Sequence, residues 1–183
     1  MPIRYAFSLL FVVLSLFVSA VSVAADSPPA GYQIHCLKYR CPSGGAPWVR
    51  LTPSRDAELG FVNRSVNRTI RYVPDVKDEW RLGVTTGDCE EYALAKQHAL
   101  IARGWPPAAL RLAVVLTRGG ASHTVLVVKT DAGDLVLDNR RSVILPLQKT
   151  GYKLVKMATE NPRIWWSPKD AVSGADHAPA AWS

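Results

Sequence analysis

Cys89, His123 and Asp138 are the residues whose types and order could carry acyl-transfer chemistry: a sulfur nucleophile, an imidazole base and a carboxylate to orient the base. Cys89 sits in Gly87-Asp88-Cys89-Glu90-Glu91-Tyr92. Asp88 suits a helix N-cap, and Glu91, three residues on, completes a D-x-x-E capping box. The spacing therefore predicts a helix that begins at Cys89 and runs toward Arg103, where Gly104 and Pro106-Pro107 stop it. Unpaired N–H groups at such a helix start favour negative charge and would lower the thiol pKa. A single cysteine on a helix is more often a small buried hydrophobe, so the weight of the reading rests on its partners.

Those partners need strands to position them. Leu110, Leu112, Val114 and Leu116 alternate, Arg118-Gly119-Gly120 turns the chain, and His123 to Lys129 is β-branched and apolar. A second turn at Thr130 to Asp134 leads into Leu135-Val136-Leu137 and Asp138, so three strands form an antiparallel meander. With the second hairpin centred near Ala132, His123 lies opposite about residue 141, and Asp138 falls within a diagonal step of it. Alone, His123 reads as a polar residue at a strand edge and Asp138 as a turn carboxylate. Grouped with the thiol, they read better as a base and its orienting acid.

Upstream, Leu59, Val62, Val66, Ile70 and Val73 recur at steps of three and four, which predicts an amphipathic helix from Ser54 to just before Pro74. The Pro- and Gly-rich stretch 26–53 reads as irregular structure, and 75–86 as a loop containing Trp80. Asn63-Arg64-Ser65 and Asn67-Arg68-Thr69 match a glycosylation pattern that carries little meaning inside a helix. The Cys89 helix is apolar around most of its circumference, which makes it central and covered.

The 183 residues amount to one domain. Residues 1–25, with Arg4, an apolar run from Leu9 to Val18 and Val23-Ala24-Ala25, have the layout of a cleaved secretory signal; the short run interrupted by serines argues against a retained membrane span. Residues 26–169 would form the domain, and 170–183 a loose tail. Export permits disulfides. Of the three cysteines, Cys36 and Cys41 suit a small disulfide-closed loop; the alternative, a metal site recruiting His35, lacks a fourth ligand at a recognisable spacing. Cys89 is then an unpaired exported thiol. The net charge of +7 leaves Arg55, Arg64, Arg68 and Arg71 along one helical segment, without the basic-aromatic alternation of a nucleic-acid surface. This basic face is either simply solvated or attracted to an acidic protein or envelope surface.

Gly87-Asp88-Cys89-Glu90-Glu91-Tyr92, Ala121-Ser122-His123 before an apolar strand, and Val136-Leu137-Asp138-Asn139 together resemble the bacterial transglutaminase-like cysteine proteinases, over about residues 34–166. The resemblance implies an α+β, papain-like and transglutaminase-like fold, with N-terminal helices packed on an antiparallel sheet. It puts the family's triad on Cys89, His123 and Asp138. It also implies a periplasmic thiol protease acting on a surface adhesin, with an effect on biofilm, and calcium held by Asp88 and Glu90. Both carboxylates are equally explained as helix N-terminal residues that need no metal, whereas acids crowded round a thiolate would raise its pKa unless a divalent ion offset them. The Cys89 N–H is the natural first oxyanion donor, Trp80 is a candidate second, and Asn139 reads as a residue that shapes the turn. An amidase or transglutaminase would use the same triad. Rival classes are a catalytically idle binding module and a structural protein dimerised through Cys89.

Overall fold

The computed structural model describes residues 25–74 and 77–168; the expected leader, except Ala25, and the expected tail lie outside the described residues. In chain order the elements are β1 (Ala25–Asp26), α1 (Ala30–Tyr39), α2 (Pro53–Thr69), β2 (Arg71–Tyr72), β3 (Thr86–Gly87), α3 (Cys89–Ile101), β4 (Leu110–Leu116), β5 (Ser122–Thr130), β6 (Gly133–Leu137), β7 (Leu145–Pro146), β8 (Lys153–Ala158) and β9 (Trp165–Trp166). Seven strands form one sheet in the order β1-β9-β8-β4-β5-β6-β7, and each neighbouring pair is antiparallel. This is the α+β arrangement expected, with the β4-β5-β6 meander at its centre.

Alternation along the central strands builds two apolar layers. Leu110, Leu112, Leu126, Val128 and Leu137 face the helices and pack with Leu59, Leu94 and Leu100. Ala113, Val115, Val125, Val127 and Val136 face the other way, where Tyr152, Leu154 and Trp166 cover them. Each fully buried leucine contributes roughly 1.5–3 kcal/mol through removal from water. These layers hold α3 against β5, which sets Cys89 beside the start of that strand. Among the described residues, no helix is long and apolar enough to cross a membrane.

Three local expectations are corrected. Within the stretch read as irregular, α1 forms even though Pro29 precedes it and no side chain caps it. Its anchor is distant in sequence: the Gly31 N–H donates to Asp78 Oδ2 at 2.7 Å, and His35 Nδ1 donates to the Trp80 carbonyl at 2.9 Å. Gly31 is needed there because a Cβ would run into the Asp78 carbonyl. The Cys36–Cys41 disulfide closes the end of this helix, so neither cysteine nor His35 serves a metal.

The second correction concerns α2, which ends at Thr69 instead of continuing to Val73. Ile70 still points into the core, but its backbone is extended and the chain pairs in parallel, Arg71 with Thr86 and Tyr72 with Gly87. Spacing alone cannot separate that continuation from another helical turn. The third is Trp80. Its indole N–H donates to Asp78 Oδ1 at 2.7 Å and its ring packs on Tyr32, so it is a core residue and not an oxyanion donor.

Candidate active site

The capping box forms as its spacing predicts. Glu91 Oε2 accepts the Asp88 N–H at 3.0 Å, and the Asp88 side chain accepts backbone N–H groups of the first helical turn. Gly87 allows this fold-back, since a Cβ there would come within 2.6 Å of Glu91 Oε2. The other Glu91 oxygen accepts the Arg81 N–H at 3.0 Å, with the Arg81 guanidinium alongside at 3.4 Å. Glu91 therefore belongs to the scaffold, and only Asp88 and Glu90 remain as acids beside the sulfur.

Cys89 and His123 line one small cleft together with Tyr72, Asp88, Ser122, Asn139 and Arg140. His123 Nε2 donates to Asp138 Oδ1 at 2.8 Å, with both side chains almost completely buried. The β5–β6 register, in which Leu126 faces Leu137, carries Asp138 to the level of Val125, so His123, two residues further along the strand, is its diagonal neighbour. Since Nε2 is committed to the carboxylate, Nδ1 is the ring nitrogen left for a proton from a nucleophile. The sequence-predicted trio is thus gathered at one place from a helix start, the beginning of β5 and the residue that follows β6.

Asp138 is held from several sides. Its Oδ1 also accepts the Arg140 N–H at 2.9 Å, its Oδ2 accepts the Tyr152 hydroxyl at 2.5 Å, and the Arg141 guanidinium lies 3.9 Å from Oδ2. Burial opposes its ionisation, but the hydrogen bond and charge of His123, with Tyr152 and the Arg140 N–H, hold its pKa down at about 2. Asn67, inside the discounted glycosylation pattern, donates to the Asp138 carbonyl at 2.9 Å and so ties α2 to this turn. Neither Asn67 nor Tyr152 was legible as a site residue, because each lies far from Asp138 in sequence and belongs to a residue type common in helices and strands. Lys96, seven residues after Cys89 on α3, is also hidden from a one-dimensional reading: it is fully buried, its ammonium has no hydrogen-bond partner among the described residues, and burial lowers its pKa to about 7 against the pull of Asp138.

The thiol is less acidic than a helix start alone would make it. Burial pushes Cys89 well above its ordinary value, and Glu90 adds to this by its charge and by accepting the S–H at 3.0 Å; the Thr124 N–H directed at the sulfur acts in the opposite sense. Burial together with the hydrogen bond and charge of Asp88 pushes Glu90 in turn up to about 9. Its second oxygen accepts the Thr124 hydroxyl at 3.1 Å. Desolvation and crowded acids thus outweigh the helix N-terminus here. Asp88, Cys89 and Glu90 bring ligand-type atoms within 4.8 Å of one another. The two carboxylates are hard oxygen donors of the kind calcium takes, while the sulfur is not.

Comparisons with known proteins identify the family and the fold. The model of the family described as bacterial transglutaminase-like cysteine proteinase BTLCP matches residues 22–172. Among solved structures, LapG of Legionella pneumophila is similar in its EGTA-treated form at 27% identity and a TM-score of 0.56, covering 66% of this chain and 70% of that one. Its calcium-bound form gives 27% identity and a TM-score of 0.57, with 66% and 72% covered. A further LapG structure gives 27% and 0.56, with 68% and 75% covered. No curated protein matches the sequence significantly.

Proposed function

The chain belongs to the bacterial transglutaminase-like cysteine proteinases, and from that premise we propose that it cleaves peptide bonds of an exported protein, with Cys89, His123 and Asp138 as its triad. The observation that carries the assignment is the 2.8 Å bond from His123 Nε2 to Asp138, made beside the cleft that His123 shares with Cys89.

In this reading His123 Nδ1 takes the thiol proton as the sulfur attacks the substrate carbonyl, and the Cys89 N–H at the helix start receives the developing oxyanion. Asp138 keeps the ring in the tautomer that leaves Nδ1 free and stabilises the imidazolium. Collapse of the tetrahedral intermediate breaks the C–N bond, and the imidazolium hands its proton to the departing amine. A water, deprotonated by the same nitrogen, then attacks the thioester and restores the thiol. In forming the thiolate, Cys89 must give up its bond to Glu90.

The buried carboxyl groups of Asp88 and Glu90 are the ones that would hold calcium, and a cation there would favour ionised carboxylates and thiolate. The calcium-bound LapG structure supports this assignment. The leader-like residues 1–25 support a periplasmic location, and the domain is assigned to 26–169. A surface adhesin as substrate, and hence an influence on biofilm, follows from the family resemblance. Cys89→Ala is expected to abolish cleavage of a surface protein, read by comparing surface proteomes of producing and deletion strains, while the melting temperature stays nearly constant. Undiminished release by that variant would remove the assignment.

A further inference from the structure

Arg140 lies in the same cleft as Cys89 and His123, is exposed, and has no carboxylate partner among the described residues. Its backbone is fixed by the bond of its N–H to Asp138 Oδ1. Two asparagines of α2 grip the same turn: Asn63 donates to the Arg141 carbonyl at 2.9 Å, and Asn67 donates to the carbonyls of Asp138 and Arg141 at 2.9 and 3.1 Å. Each is followed by an exposed arginine, Arg64 and Arg68, and Arg71 stands beside the cleft residue Tyr72. None of these arginines is ion-paired among the described residues, whereas Arg50, Arg81, Arg103, Arg111 and Arg141 each meet an acid. The acids at the site, Asp88, Glu90 and Asp138, are buried and engaged with other partners.

We propose that this rim is a recognition surface for an acidic segment of the protein substrate, in which Arg140 reads an Asp or Glu side chain near the scissile bond and Arg64, Arg68 and Arg71 engage further carboxylates. The inference rests on the peptidase reading and names its substrate class. An extended peptide is the fitting occupant because Arg140 lines the cleft itself, where a chain bound to Cys89 must pass and a bilayer cannot. The fork of a guanidinium matches a carboxylate in two parallel hydrogen bonds, and a one-sign rim speeds encounter with an oppositely charged chain at low salt.

Profiling cleavage sites in a proteome-derived peptide library tests this. The wild type is expected to enrich Asp and Glu within about three residues of the cut by about tenfold, while Cys89→Ala cuts nothing. Arg140→Gln should flatten that preference and Arg140→Glu should turn it toward Lys and Arg, with melting temperatures held near wild type. The double variant Arg64→Glu/Arg68→Glu should lower kcat/KM on acidic substrates several-fold and weaken its salt dependence. Cys89-dependent cleavage without acidic enrichment overturns the proposal and leaves the peptidase standing. Absence of any cleavage by the wild type overturns both. A flat profile combined with arginine-dependent binding to phosphatidylglycerol vesicles assigns the patch to a lipid surface and likewise overturns it.

Discussion

The Tyr152 hydroxyl donates to Asp138 Oδ2 at 2.5 Å while the Tyr152 ring stands edge-on to His123, with centroids 5.7 Å apart. One side chain from the segment before β8 therefore touches both members of the His-Asp pair. The Arg141 guanidinium lies over the same ring, 4.9 Å from its centroid. Burial and the bond to Asp138 push the phenol up to about 12, so it remains a donor at any working pH.

Tyr152→Phe keeps the ring and removes the donor, so the carboxylate should lose its fixed rotamer while the fold persists. The expected result is a fall in kcat of about tenfold with KM little changed and stability lower by about 1 kcal/mol. Faster solvent exchange of the His123 ring proton, followed by NMR, would separate loosened orientation from general destabilisation. Wild-type kcat in this variant would show that Arg140 and His123 suffice to hold Asp138.

Asp138 also fixes an acid limit on stability. Its native pKa of about 2 lies below the ordinary 3.8, so the native state binds fewer protons than the unfolded chain between those values. Its contribution is complete above about pH 4 and disappears as pH falls toward 2, an effect of about 2 kcal/mol at 1.36 kcal/mol per unit. Urea unfolding at pH 4 and pH 2 should show the wild type losing about that much more than Asp138→Asn. Equal losses would mean that the carboxylate is not held as its contacts imply.

For calcium, adding the ion to chelator-treated protein should raise the melting temperature, with about 2.7 kcal/mol gained at a hundredfold excess over Kd. Asp88→Asn preserves an N-cap residue and Glu90→Gln preserves shape, so loss of the shift in either would identify a ligand and not a helix defect. No shift in the wild type at millimolar calcium would leave both residues as helix-start groups.

Much of the site was legible because its determinants are local. The D-x-x-E spacing predicted the start of α3, and strand alternation with turn positions predicted the β5–β6 pairing that joins His123 to Asp138. What escaped depends on distant partners. Helix α1 exposes Ile34 and Leu37 and takes its anchors from Asp78 and Trp80, so no apolar stripe announces it. The end of α2 is set by pairing with Thr86 and Gly87. The direction of the Cys89 shift depends on burial beneath β5 and on which acid turns toward the sulfur, and neither is written in the spacing of the motif.

The Cys36–Cys41 bond sits on the helix whose His35 holds the Trp80 carbonyl; the next residue, Arg81, grips Glu91, which in turn secures the Asp88 N–H at the front of α3. Bench handling inherits a conflict from this line of contacts. A reductant added to rescue an oxidised Cys89 also attacks the staple at its far end, so the dose that revives the nucleophile is bounded by the dose that loosens its support.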